Sequence, residues 1–152
     1  MWTDDLLQFV LKDCKTASVV TGIYAIDTLP VQVKHPAALI VNLSPSASGG
    51  SHWVVIFIDK NRRGFYFDSL GRKVPKPIMK FLRRNCIYFK MNRTQYQHDD
   101  SILCGLFCII FIYFKVRNQN ILKSFNTKDL KKNDLLVLKL VRKIKKQNPS
   151  CK

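Results

Sequence analysis

Apolar positions follow two rhythms along the chain, one at helical spacing and one in short strand-length runs, and the switches between them outline a mixed α/β domain. The first helical stretch is predicted from Asp4 to about Asp13. Leu6, Phe9 and Val10 share one face, Thr3 is placed to cap it, and Asp4 and Asp5 suit the positive end of the helix dipole. Residues 37–43 form an apolar run of strand length, cut off by the Ser- and Gly-rich stretch 44–51. Residues 52–59 read as a second strand, 60–64 as a turn, and 65–68 as a strand returning antiparallel. A turn centred near 60 to 61 pairs residues whose numbers sum to about 120 to 122. His52 and Asp68 therefore fall at the same open end of the hairpin.

Further along, Pro75 and Pro77 open a helix that runs to Arg84, and residues 86–90 form another strand. Residues 102–114 are apolar except for Gly105. Thirteen residues are too few to span a bilayer but suit a helix buried on all sides, the predicted centre of the domain. Asn133 is placed to cap a last helix to about Lys146, with Leu136, Leu140 and Ile144 at helical spacing.

Composition narrows the class. At 152 residues, 47% of them hydrophobic, the chain has enough core for one domain over 1–152 and does not read as disordered; its C-terminal part, about 133–152, is a basic helix and tail. All ten acidic residues are Asp, so any carboxylate chemistry belongs to an aspartate. Five irregularly spaced cysteines do not read as a secreted disulfide framework. The first residues carry no basic region followed by an apolar stretch, which sets the expectation of a reduced, non-secreted setting.

Candidate chemistry gathers around Cys104, where the polar loop 95–101 gives way to the apolar helix. Unpaired amides and the dipole at a helix N-terminus favour a thiolate, and Gly105 lets another backbone approach. Position alone still favours a plainer reading, with Cys104 and Cys108 as small core residues. His52 follows the glycine-rich loop at a strand edge; taken singly it fits a surface role. Asp68 weakens that reading, because an aspartate accepting the imidazole N–H fixes its tautomer and stabilises the imidazolium. Metal binding is disfavoured: Cys104 and Cys108 sit one helical turn apart and His98 is nearby, but Cys108 is embedded in apolar residues and no second pair has ligand spacing.

Gly49-Gly50-Ser51-His52-Trp53, Asp68 sixteen residues after His52, and Gln97 seven residues before Cys104-Gly105-Leu106-Phe107-Cys108 together resemble the adenovirus endoprotease (adenain) family and related proteases of Maverick/Polinton-type elements. The resemblance runs from about Gly22 to Phe114. It implies an α+β papain-like, SUMO-protease-like cysteine protease fold, with a central buried helix that carries the cysteine packed on a mixed or antiparallel sheet. In the same terms Cys104 is the nucleophile, His52 the general base, Asp68 the orienting acid and Gln97 an oxyanion donor. Trp53, Gly50 and Gly105 would border the substrate cleft. Adenoviral members commonly carry Glu at the third position, so Asp68 is a conservative departure.

The resemblance also implies regulation. Cys86, eighteen residues before Cys104, matches the cysteine through which an activating peptide is disulfide-linked, although a strand cysteine at that place is equally compatible. A net charge of +16 exceeds what solubility requires and points to a polyanion, with Arg62, Arg63, Arg83, Arg84, Lys143, Lys145 and Lys146 as candidates for sequence-nonspecific duplex DNA binding. The functional expectation is a monomeric protease that matures viral or transposon precursor proteins, including capsid precursors, after Gly-containing sites, in the virion and host nucleus or cytoplasm. Two alternatives stand beside it: a deconjugase of ubiquitin-like modifiers, and a DNA-binding virion protein on a protease-derived fold.

Overall fold

A computed structural model describes residues 3–45 and 52–147. The elements run α1 (Thr3–Lys12), α2 (Cys14–Val19), β1 (Val20–Ala25), β2 (Ala37–Asn42), β3 (Trp53–Ile58), β4 (Arg63–Phe67), α3 (Lys76–Asn85), β5 (Tyr88–Met91), α4 (Cys104–Lys115) and α5 (Leu130–Gln147), with 3-10 turns at Ile26–Thr28 and Ile121–Ser124. The five strands form one sheet in chain order. β1 and β2 are parallel, β2–β3 and β3–β4 antiparallel, and β4 and β5 parallel, so the sheet is mixed.

Strand residues point alternately to the two faces of a sheet, and here each face has its own apolar cover. Ala38, Ile40, Val55, Phe57 and Phe67 face α1, α4 and α5. Ala37, Leu39, Val41, Val54, Ile56, Ile58 and Tyr66 face Ile78, Phe81 and Leu82 of α3. That double cover is why β2 is buried along its whole length. α4 is buried from Cys104 to Ile112 and has no polar face until its last turn. Phe67 stacks on Phe111 with ring centres 4.5 Å apart, fixing β4 against the helix. Each such buried aromatic or aliphatic side chain stabilises by about 1.5–3 kcal/mol.

Several predicted boundaries shift. β1 was not foreseen, because Val20–Ala25 is a half-exposed edge strand with mixed polarity. Asp13 does not continue α1; it caps α2, accepting from the Thr16 N–H at 3.3 Å. Burial alone would raise the Asp13 pKa, but Arg117 and Thr16 hold it below the ordinary value; the guanidinium donates to Asp13 at 2.7 and 3.0 Å and lies 3.6 Å from the Tyr113 ring centre. Asn133 does not cap α5. It lies inside the helix, buried, where its amide donates to the Tyr96 and Asn126 carbonyls and accepts from the Asn126 N–H. Cys86 is the C-cap residue of α3 rather than the first residue of a strand. Cys14 is disulfide-bonded, against the expectation of reduced thiols, while Cys86, Cys104 and Cys108 are free. No helix among the described residues is long and apolar enough to cross a membrane.

Candidate active site

The hairpin register delivers the first two groups. Val55 pairs with Phe67 and Ile58 with Gly64, each pair summing to 122, so His52 lies just before β3 and Asp68 just after β4. His52 Nε2 donates to Asp68 Oδ1 at 2.6 Å. Asp68 is fully buried and His52 6% exposed, which keeps water from competing for this bond.

Backbone geometry holds the carboxylate in turn. The Leu70 N–H donates to Oδ1 at 2.8 Å and the Arg72 N–H to Oδ2 at 3.2 Å. The turn needs Gly71, whose φ is +64° and where a Cβ would lie 2.7 Å from the Arg93 carbonyl oxygen. Asn92, just past β5, clamps the Asp68 backbone on both sides. Its Oδ1 accepts the Asp68 N–H at 3.0 Å, and its Nδ2 donates to the Asp68 carbonyl at 2.6 Å.

Cys104 is the first residue of α4 and is 9% exposed. Its thiol and the His52 ring lie close enough for each to shift the other's pKa. With Nε2 committed to Asp68, Nδ1 is the ring nitrogen left for sulfur. Burial alone would raise the Cys104 pKa, but the His52 hydrogen bond and charge, with the N–H groups of Trp53 and Gly105, bring it below the ordinary thiol value. Burial likewise pulls His52 down, yet Asp68 and Cys104 outweigh it and raise its pKa to about 9. The two shifts favour a thiolate beside an imidazolium. Cys108, one turn further, is wholly buried, and its pKa is pushed well up by burial first and then by the charges of Cys104 and Asp68.

Gln97 is buried in the loop before α4. Its Oε1 accepts from the Ser69 hydroxyl, its Nε2 donates to the Ser101 carbonyl at 2.9 Å, and its backbone N–H donates to the Ser69 carbonyl at 2.9 Å. The loop is thereby fixed to the turn that carries Asp68. Trp53 is half-buried against the α4 side of the core, and its backbone N–H helps to lower the Cys104 pKa. Gly105 is buried in the first turn of α4, and Gly50 lies outside the described residues.

The remaining candidates are elsewhere. Cys86 is a free thiol, 7% exposed, packed so closely on β4 that a Cβ at Gly64 would lie 2.5 Å from its sulfur. Burial pushes its pKa up to about 11 despite the charge of Arg62. Arg62 donates to the Asn85 carbonyl at the end of α3, whose last turn carries Arg83 and Arg84. Arg63 is taken up by Asp59 at 2.8 Å. Lys143, Lys145 and Lys146 are exposed on a different element, α5, with Lys145 over the Phe9 ring of α1. Among the described residues no group of three or more His, Cys and Asp is placed to hold a metal ion. A cavity of about 670 Å³ lies away from Cys104, between the β3–β4 turn and the far end of α4, lined by Asp59, Arg63, Phe65, Lys90, Phe111 and Lys115 among others.

Asn92 and Ser69 were not singled out from the sequence. Their partners lie 24 and 28 residues away, and no local pattern marks them.

A thiol paired with an imidazole that a buried carboxylate holds, at the start of a buried helix on a mixed sheet, has the constellation of the thiol hydrolases. The adenovirus endoprotease family model matches residues 22–149, and the chain belongs to that family of cysteine proteases. It is 32% identical over 103 residues to the protease of ovine adenovirus D serotype 7 (isolate OAV287), a match covering 57% of this chain and 51% of that protein. The chain spans about half the length of the adenovirus proteases it matches. In fold it is similar to the ASFV pS273R protease, with a TM-score of 0.59 and 14% identity over 82% of this chain and 62% of that one. It is also similar to the central domain of the uncharacterized Lpg1148 protein from Legionella pneumophila, with a TM-score of 0.54 and 14% identity over 97% and 98% of the two chains. At these identities the two structures speak for the fold alone.

Proposed function

We propose that this chain is a cysteine endopeptidase that cleaves viral or transposon precursor proteins during particle maturation, at Gly-containing sites. The observation that carries the reading is the His52 ring, held by Asp68 at 2.6 Å on one nitrogen and close enough to the Cys104 thiol for each to shift the other's pKa. His52 takes the thiol proton and the thiolate attacks the scissile carbonyl carbon. The C–S bond forms and the carbonyl becomes an oxyanion, which the Gln97 side-chain N–H and the Cys104 backbone N–H stabilise; loss of one such donor costs about 10²- to 10³-fold in rate. The tetrahedral intermediate collapses as the C–N bond breaks, and the amine leaves with the proton from His52. Water, deprotonated by His52, then cleaves the thioester and restores the thiol.

The reading extends to two activators: a peptide disulfide-linked at Cys86, and duplex DNA bound without sequence preference by the basic residues of α3, the hairpin turn and α5. The free Cys86 thiol and the net charge of +16 support this part. A thiol-reactive probe and a peptide-cleavage assay on wild type and Cys104→Ala, with and without DNA, test the whole. The expected result is labelling and cleavage that both vanish in Cys104→Ala. Labelling that persists without any cysteine-dependent cleavage overturns the reading. DNA affinity that barely changes from low to moderate salt, or an unmodified Cys86 in the activated protein under non-reducing mass spectrometry, removes the corresponding activator.

A further inference from the structure

We propose that Ser69 is a positioning residue that aims the Gln97 side-chain amide, so that the turn carrying the acid also sets the oxyanion donor. The inference rests on the role given to Gln97 above. A primary amide has two ends of nearly equal shape, one accepting and one donating, and packing alone does not distinguish them. Here chemistry does. The Ser69 hydroxyl donates to Oε1, and Nε2 donates to the Ser101 carbonyl at 2.9 Å. A flipped amide would press its oxygen against that carbonyl, two acceptors with no hydrogen between them. One Nε2 hydrogen is spent on Ser101, and the other has no acceptor among the described residues.

Both side chains are almost fully buried, Ser69 at 1% and Gln97 at 2%, so water does not replace a lost hydroxyl. Backbone bonds bring the two residues together independently of the hydroxyl: the Tyr96 and Gln97 N–H groups donate to the Ser69 carbonyl at 2.8 and 2.9 Å. Removing the hydroxyl therefore leaves the loop in place and takes away one of the two side-chain bonds that hold the amide, so that the Ser101 carbonyl alone orients it. Asp68, the neighbour of Ser69, meanwhile keeps its own partners, His52, Leu70, Arg72 and Asn92.

The test is a double-mutant cycle on a fluorogenic peptide with glycine before the scissile bond. Ser69→Ala is expected to lower kcat by about 10-fold, below the loss of the donor itself, with KM unchanged. It should add nothing in a Gln97→Ala background, and Ser69→Thr, which keeps the hydroxyl, should restore the rate. The pH profile of Cys104 alkylation should not move, since His52 and Asp68 are untouched. Losses of Ser69→Ala and Gln97→Ala that multiply, a shifted alkylation profile, or normal kcat in Ser69→Ala beside an impaired Gln97→Ala would overturn the inference alone. Full activity in Gln97→Ala would overturn the oxyanion role and the inference together. Should Ser69→Ala not fold, Ser69→Thr against Ser69→Val reads the same hydroxyl at constant shape.

Discussion

The two ends of α4 solve opposite problems. At its C-terminal end the helix borders a cavity of about 670 Å³ rimmed by charged side chains, yet the nearby Lys115 and Arg63 are engaged with Phe65 and Asp59. At its N-terminal end Cys104, His52, Asp68 and Gln97 are all buried and linked to one another or to their neighbours by hydrogen bonds. Space is therefore a poor guide here. Convergence of buried polar groups, each with a partner that fixes its orientation, separates the reactive end from the roomy one. The same contrast recurs within one helical turn, where partners lower the pKa of Cys104 and their absence leaves Cys108 to burial.

The sharpest way to break this comparison is to exchange the two thiols' fates. Cys104→Ala is expected to lower kcat/KM by about 10⁶-fold, with little change in melting temperature, whereas Cys108→Ala stays within about 3-fold in peptide cleavage. Equal losses would mean that burial and partners do not decide reactivity. Asp68→Asn is expected to cost about 10⁴-fold in kcat by removing the charge that steadies the imidazolium.

The pH profile tests the same pair without mutation. The Cys104 pKa is lowered and the His52 pKa is raised to about 9, so cleavage should rise on an acid limb below the ordinary thiol range and fall as pH passes about 9. In Asp68→Asn the alkaline limb should move down. For stability, a raised histidine pKa means that the His52 contribution is complete below 6.5, its ordinary value, and lost as pH rises through about 9; melting temperatures across that window check it.

Smaller effects sharpen the contrast. Asn92→Ala removes three hydrogen bonds, two of them to the Asp68 backbone, and should destabilise by about 1–3 kcal/mol in urea unfolding while lowering kcat about 10-fold. Lys115→Ala, at the cavity end, should leave peptide cleavage within about 2-fold. A large loss there would bring the cavity into the reaction.

Much of this was legible in the sequence because it is local. The hairpin register follows from a turn and two apolar runs, and it alone brings His52 to Asp68. The apolar helix after a polar loop is equally plain, with Cys104 at its start. What escaped is set by distant partners. Asn133 has the chemistry of a cap, but the Tyr96 carbonyl, 37 residues away, draws its amide into the core. β1 pairs in parallel with β2 across the segment between them and carries no strict alternation to announce itself. Ser69 and Asn92 read as ordinary turn and loop residues until Gln97 and Asp68 are folded onto them.

The Asp13–Arg117 pair joins groups 104 residues apart, so in a chain synthesised from its N-terminus α1 and α2 must wait for all five strands and α4 before their anchor exists. The hairpin that bears His52 and Asp68 needs no such wait, since its strands follow one another directly. Cys104 leaves the ribosome between these two events. A nascent chain therefore holds a base and its carboxylate with nothing yet to activate, and the nucleophile is the last of the three to be made.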